Sequence, residues 1–168
     1  MESPSAYWAM VGTAGVVTLV GCVVSRLRPG RWQGTAARVL AVVLVAKGAL
    51  WVYTSLHPGP WSVRTGLPLY LCDMAVLVAA GACWWRTPWL VELTYFWGLA
   101  GTLEAVATPE LPDRFPHLLF IQYTVGHVAV VAAALFLVAG MGLAPRPGAV
   151  RRVYALTVVY TVGVGLVD

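Results

Sequence analysis

Charge is what this chain has least of: Asp, Glu, Lys and Arg together make up 11% of its 168 residues, against roughly 25% in a soluble domain. That deficit, beside 60% hydrophobic residues and a mean hydropathy of +0.78, excludes an ordinary soluble globular domain. A body of this size has too little interior to hide so much apolar surface, so the excess faces lipid. Lysine is nearly missing, because ten of the eleven basic residues are Arg. They cluster between apolar runs and form no stripe on a polar chain, which excludes a nucleic-acid partner. The three cysteines, Cys22, Cys72 and Cys83, show no CxxC or Cys/His ligand spacing, so neither a disulfide framework nor a metal site is expected, and no cofactor is implied. Glu2 is the only charge before the first apolar run and Arg26 follows it. No cleavable signal peptide is therefore expected, and the first run should remain as an anchor.

What remains is apolar segments and short connectors. A spanning helix needs roughly 20 mainly apolar residues, and six candidates fit, at about 6–24, 36–56, 68–85, 89–108, 116–139 and 150–167. The connectors RLRPGRWQG (26–34), HPGPWSVRTG (57–66), RTP (86–88), PELPDRF (109–115) and GLAPRPG (142–148) are turn-like and leave no room for a soluble domain. The expectation is an all-α polytopic transmembrane bundle forming one integral membrane domain over 1–168, multi-pass in the cell membrane. The last segment offers about fifteen residues from Val153 to Val167 before the chain stops at Asp168. A short final span or a missing seventh helix is therefore expected.

Arg26, Arg28, Arg31, Arg38, Arg86, Arg146, Arg151 and Arg152 all fall at odd-numbered connectors, whereas Arg64 and Arg114 lie on the other side beside Glu110 and Asp113. The positive-inside rule puts the odd connectors in the cytoplasm and the N-terminus outside. Tyr7, Trp8, Trp32, Trp61, Trp84, Trp85 and Trp89 sit near the predicted span ends, as an aromatic belt does.

Ionisable groups inside spans cost several kcal/mol and normally face a protein interior, a cavity or a partner. Here they are Lys47, Asp73, Glu92, Glu104 and His127, together with the thiol of Cys72. Cys72, Asp73, Glu104, Gln122, Tyr123 and His127 collect in one outer-facing layer under this topology. Each has a bland reading. Cys72 alone suits a small buried hydrophobe, but an imidazole within reach would generate the reactive thiolate. His127 suits a helix–helix hydrogen bond, and Tyr123, one turn earlier, shares its face and suits a hydrogen-bonded pair with it. Asp73 can orient an imidazole, pair with Lys47, or sit at the positive first turn of the third span. Lys47 is expected in a buried ion pair with Asp73 or Glu104. Glu104 follows a helix side made small by Gly98, Ala100 and Gly101, where helices approach closely. Glu92, near the cytoplasmic interface, is expected to snorkel towards Arg86 or water.

The motifs LPLYLCDMAVL (67–77), ELTYFWGLAGTLEAVATPEL (92–111), FPHLLFIQYTVGHVAVV (115–131) and RPG (146–148) resemble the YwaF-like integral membrane family, which is similar to the animal transmembrane protein 164 group. The specific match runs from about Leu67 to Asp168; before it only general hydropathy agrees. The resemblance implies an all-helical membrane protein whose animal relatives are phospholipid acyltransferases with a cysteine centre. It puts the nucleophile at Cys72 and its partner at His127. Family members similar to this one continue to a further span beyond the position of Asp168.

The leading expectation is therefore acyl transfer on phospholipid or another fatty-acyl ester at the outer leaflet through a Cys72–His127 dyad. Asp73, Glu104, Gln122 and Tyr123 would orient the imidazole or steady an oxyanion. The partners would be membrane lipids, either a lysophospholipid or an acyl ester. One alternative is a small transporter or ligand-binding membrane protein using Lys47, Asp73, Glu104 and His127, and a second is a structural membrane subunit in which the polar layer is helix glue.

Overall fold

The computed structural model describes residues 3–56 and 70–166. Among these residues the chain forms six helices and no strand. They are α1 (Ser3–Leu27), α2 (Arg31–Leu56), α3 (Leu71–Trp85), α4 (residues 88–107), α5 (Leu118–Gly140) and α6 (Ala149–Gly165). Each corresponds to one predicted apolar segment. The connector 57–66, with Trp61 and Arg64, and the first residues of the third predicted segment lie outside the described residues.

Local chemistry explains where the helices stop and start. Arg86 ends α3 in the left-handed region, with φ of 55°, and its N–H donates to the Ala82 carbonyl at 2.9 Å. Pro88 then opens α4 at a position where its missing N–H costs nothing. Gly148, with φ of 77°, makes the turn into α6 that a side chain would strain. His117 stands just before α5, its Nδ1 2.9 Å from Asp113 Oδ2.

Three helices, α1, α2 and α5, are long and apolar enough to cross a membrane. The most apolar stretch of α5 is 50% buried, against 11% in α1 and 17% in α2, so α5 is the central post and the other two face outward. Val16, Val17, Leu19, Val20 and Val23 on α1, and Val39, Val42, Val43 and Val45 on α2, are exposed. So many bare aliphatic side chains on two helix faces match a lipid surface, not water. Behind them, Leu44, Ala79, Val130, Ala133 and Leu137 are wholly buried.

Two features of α4 and α5 differ from plain α-helical expectation. Residues Trp97–Thr102 of α4 and Phe136–Gly140 of α5 are π-helical. Gly98, in the first of these, lets the helices meet: a Cβ there would lie 3.1 Å from the Ala134 Cβ and 3.5 Å from the Val130 carbonyl oxygen. The wider turn also re-phases residues 103–107 relative to the first half of α4, a change that hydropathy alone does not register.

Polar locks tie the helices together. Ser25 donates to the Gly140 carbonyl at 3.0 Å, Arg26 caps the C-terminal carbonyls of α5 at Ala139 and Val138, and the Trp97 indole donates to the Thr157 hydroxyl at 2.8 Å. Tyr7 does not join an interfacial belt. Its side chain is 1% exposed because its hydroxyl donates to the Val106 carbonyl at 2.7 Å and its ring meets Phe120 edge-on. Trp8, Trp32, Trp84, Trp85 and Trp89 are exposed, as belt residues are.

Candidate functional site

A cavity of about 510 Å³ opens at the end of the bundle where α3 begins and α4 ends. The first turn of α3 contributes Cys72 and Asp73. The re-phased end of α4 and its following residues contribute Glu104, Thr108 and Glu110, and α5 contributes Tyr123 and His127. Cys72 is half-buried, unlike the buried Cys22 and Cys83. The i, i+4 spacing of Tyr123 and His127 puts both on one face of α5, and the π segment before Leu103 turns Glu104 towards them.

The fine geometry around His127 follows from one hydrogen bond. Its Nδ1 lies 2.8 Å from the backbone carbonyl oxygen of Tyr123. A carbonyl only accepts, so Nδ1 carries the proton and Nε2 of the neutral ring keeps its lone pair. The two side chains do not hydrogen-bond to each other: the rings lie tilted at 35° with centroids 4.2 Å apart, and the Tyr123 hydroxyl donates to the Ala105 carbonyl at 2.9 Å. That bond spans α4 and α5 and fixes the cavity wall.

Asp73 stands between this cavity and Lys47. The Lys47 ammonium lies 3.1 Å from Asp73 Oδ1, with the two side chains only 10% and 15% exposed. The stem of Lys47 crosses α5 at Gly126, where a Cβ would stand 2.7 Å from Cε. Glu104 pairs with neither. Gln122 is 6% exposed and is absent from the cavity lining; its Nε2 has no hydrogen-bond partner in the bundle. Glu110, in sequence a connector charge, also lines the cavity. Its one legible signal was its position just after the helix that carries Glu104. Among the described residues, no group of three or more His, Cys, Asp or Glu is arranged to hold a metal ion.

Glu92 corrects a further expectation. It neither snorkels to water nor meets Arg86; it is 1% exposed. Arg146 Nε approaches Oε1 at 2.8 Å, Arg152 Nη2 reaches the same oxygen at 2.7 Å, and the Arg146 N–H adds a bond of 3.2 Å. Two guanidiniums compensate the desolvated carboxylate, which in turn raises the Arg146 pKa above its ordinary value. The RPG sequence thus works as a clamp: Arg146 grips α4, and Gly148 makes the turn into α6.

Lipid-facing apolar helices around a polar cavity define an integral membrane protein of the helical class. The chain belongs to the TMEM164 family, whose family model matches residues 2–168. No curated protein and no solved structure shows a significant match to it.

Proposed function

We propose that the protein is a multi-pass enzyme of the cell membrane that moves acyl chains of phospholipids or other fatty-acyl esters, using Cys72 as nucleophile and His127 as base. The observation that carries this reading is the shared cavity of Cys72 and His127, with the imidazole Nδ1 held on a backbone carbonyl so that Nε2 is the basic nitrogen. His127 takes the Cys72 proton and the thiolate attacks the ester carbonyl carbon. The carbon–oxygen ester bond breaks, the departing alkoxide recovers the proton from His127, and the acyl group rests on sulfur as a thioester. A lysolipid hydroxyl or water then gives its proton to His127 and attacks the thioester, and the thiol is restored.

Cys72 sits in the first turn of α3, whose positive end favours an anion, while the Asp73 and Met74 N–H groups already donate to the Tyr70 carbonyl at 3.0 and 3.1 Å. That positive helix end is suited to steady the charge that develops on the ester oxygen. The Tyr123 hydroxyl is already engaged with Ala105, so it supports the wall. The positive-inside reading places the cavity at the outer leaflet, where donor and acceptor lipids both reside. Resemblance to cysteine-centre acyltransferases supports the same assignment. A transport path is disfavoured by the buried apolar layer of Leu44, Ala79 and Val130 and by the mutual pairing of Lys47 and Asp73.

The test is labelling and turnover together. A lipid-like thiol electrophile should modify Cys72 and leave Cys22 and Cys83 unlabelled, and an excess of acyl lipid should block it. Cys72→Ala and His127→Ala should each abolish acyl exchange in reconstituted membranes; wild-type exchange in both variants overturns the mechanism.

A further inference from the structure

From Cys72, in the first turn of α3, to its cap Arg86 the helix rises about 21 Å at 1.5 Å per residue, so its far end lies on the opposite side of the bundle from the polar cavity. There the guanidiniums of Arg31, Arg38 and Arg86 line a second cavity, of about 440 Å³, beside the first turns of α2. The side chains are placed, not merely nearby. Arg86 adopts φ of 55°, a conformation that costs a residue with a Cβ about 1 kcal/mol or more. Its Nη1 lies over Gly34, 3.1 Å from where a Cβ would be. The Arg38 guanidinium lies 5.9 Å from the Trp84 ring.

No carboxylate neutralises these three among the described residues. Asp73 is paired with Lys47, Asp113 with His117, and Glu92 with Arg146 and Arg152, while Glu104 and Glu110 line the cavity at the other end. Three converging cations without an acid form a site for an anion. Beside this cavity, and sharing Thr35 with it, an apolar groove of about 510 Å³ runs between α1, α2 and α5 along Val17, Gly21, Ala36, Leu40 and Phe136. Its rim residues Val17 and Val39 are exposed on the lipid-facing side.

We propose that the arginine cavity and the adjoining groove together bind one anionic phospholipid of the cytoplasmic leaflet, its phosphate on Arg31, Arg38 and Arg86 and an acyl chain in the groove. Guanidinium forks match phosphate oxygens in bidentate geometry. A zwitterionic head group finds the phosphate partners but no carboxylate for its ammonium, so the site selects net negative charge. A soluble phosphate compound lacks the chain that the groove accommodates. The site is separate from the Cys72 cavity and does not depend on acyl-transfer activity.

The experiment uses the full chain in mild detergent, with native mass spectrometry and thermal unfolding as readouts. Phosphatidylglycerol and phosphatidylcholine with identical acyl chains are the probes, and glycerol 3-phosphate is the soluble competitor. We expect one retained phosphatidylglycerol per chain, bound at least about tenfold more tightly than phosphatidylcholine, equivalent to 1.4 kcal/mol. Arg31→Gln and Arg38→Gln should each lower that preference, and the triple variant with Arg86→Gln should bring it to parity. Arg151→Gln, an exposed arginine outside the cavity, should leave it intact. Ala36→Trp, which fills the groove, should weaken both lipids and keep their ratio. Equal binding of the two lipids by the wild type, an unchanged preference in the two single variants, or displacement of the lipid by glycerol 3-phosphate would each overturn the proposal.

Discussion

Gly126 and Lys47 fit together as groove and stem: a Cβ on residue 126 would stand 2.7 Å from Lys47 Cε and 3.2 Å from Cδ. Gly126→Ala should therefore push the lysine stem aside and strain the ion pair at its tip. Overpacking of this kind costs about 1–3 kcal/mol. Thermal unfolding in detergent should show a lowered midpoint for Gly126→Ala and a larger drop for Gly126→Val. A wild-type midpoint for the alanine variant would mean that the stem moves freely.

Lys47 and Asp73 are each poorly exposed, so removing one leaves the other largely buried without its counter-charge. Lys47→Met alone, or Asp73→Leu alone, should destabilise the bundle by about 3–5 kcal/mol. Combining them should recover most of that loss, because two apolar side chains of similar volume replace a pair that had to be desolvated. Denaturant unfolding of the four species closes the cycle; strictly additive losses would show that the charges do not interact.

The Glu92 clamp is asymmetric, and its variants should be too. The carboxylate side chain is 2% exposed while those of Arg146 and Arg152 are 51% and 41% exposed. With Glu92→Gln the arginines can turn to water, and screening makes the loss modest, about 1–2 kcal/mol. With Arg146→Ala and Arg152→Ala together, a buried carboxylate is left unpaired, and the loss should exceed that of Glu92→Gln by about 2 kcal/mol or more. Comparing unfolding midpoints of the two variants decides it; a smaller loss in the arginine double variant would contradict the burial argument.

The helices were legible because lipid exposure leaves a long apolar signature, and each predicted segment has its helix among the described residues. Other features were hidden for identifiable reasons. A window of about 20 residues averages over a π turn, so the re-phasing at Trp97–Thr102 left no trace in hydropathy. Tyr7 carries the amphipathic character of a belt residue, and only the distant Val106 carbonyl makes it interior. The i, i+4 spacing of Tyr123 and His127 correctly placed them on one face, but spacing cannot distinguish a side-chain bond from the backbone bond that forms. Glu92 looked interfacial because its partners are 54 and 60 positions away. Glu110 joined the cavity through the path of a connector, which periodicity does not describe.

That separation along the chain also orders assembly. During synthesis Glu92 emerges 54 residues before Arg146, so α4 first meets the bilayer with a carboxylate that has no counter-charge. The cost of that unmatched group is relieved only when the GLAPRPG connector arrives and Arg152 follows at the start of α6. Helix α6 is thus a latch, closing late on a fourth helix whose buried carboxylate it helps to neutralise.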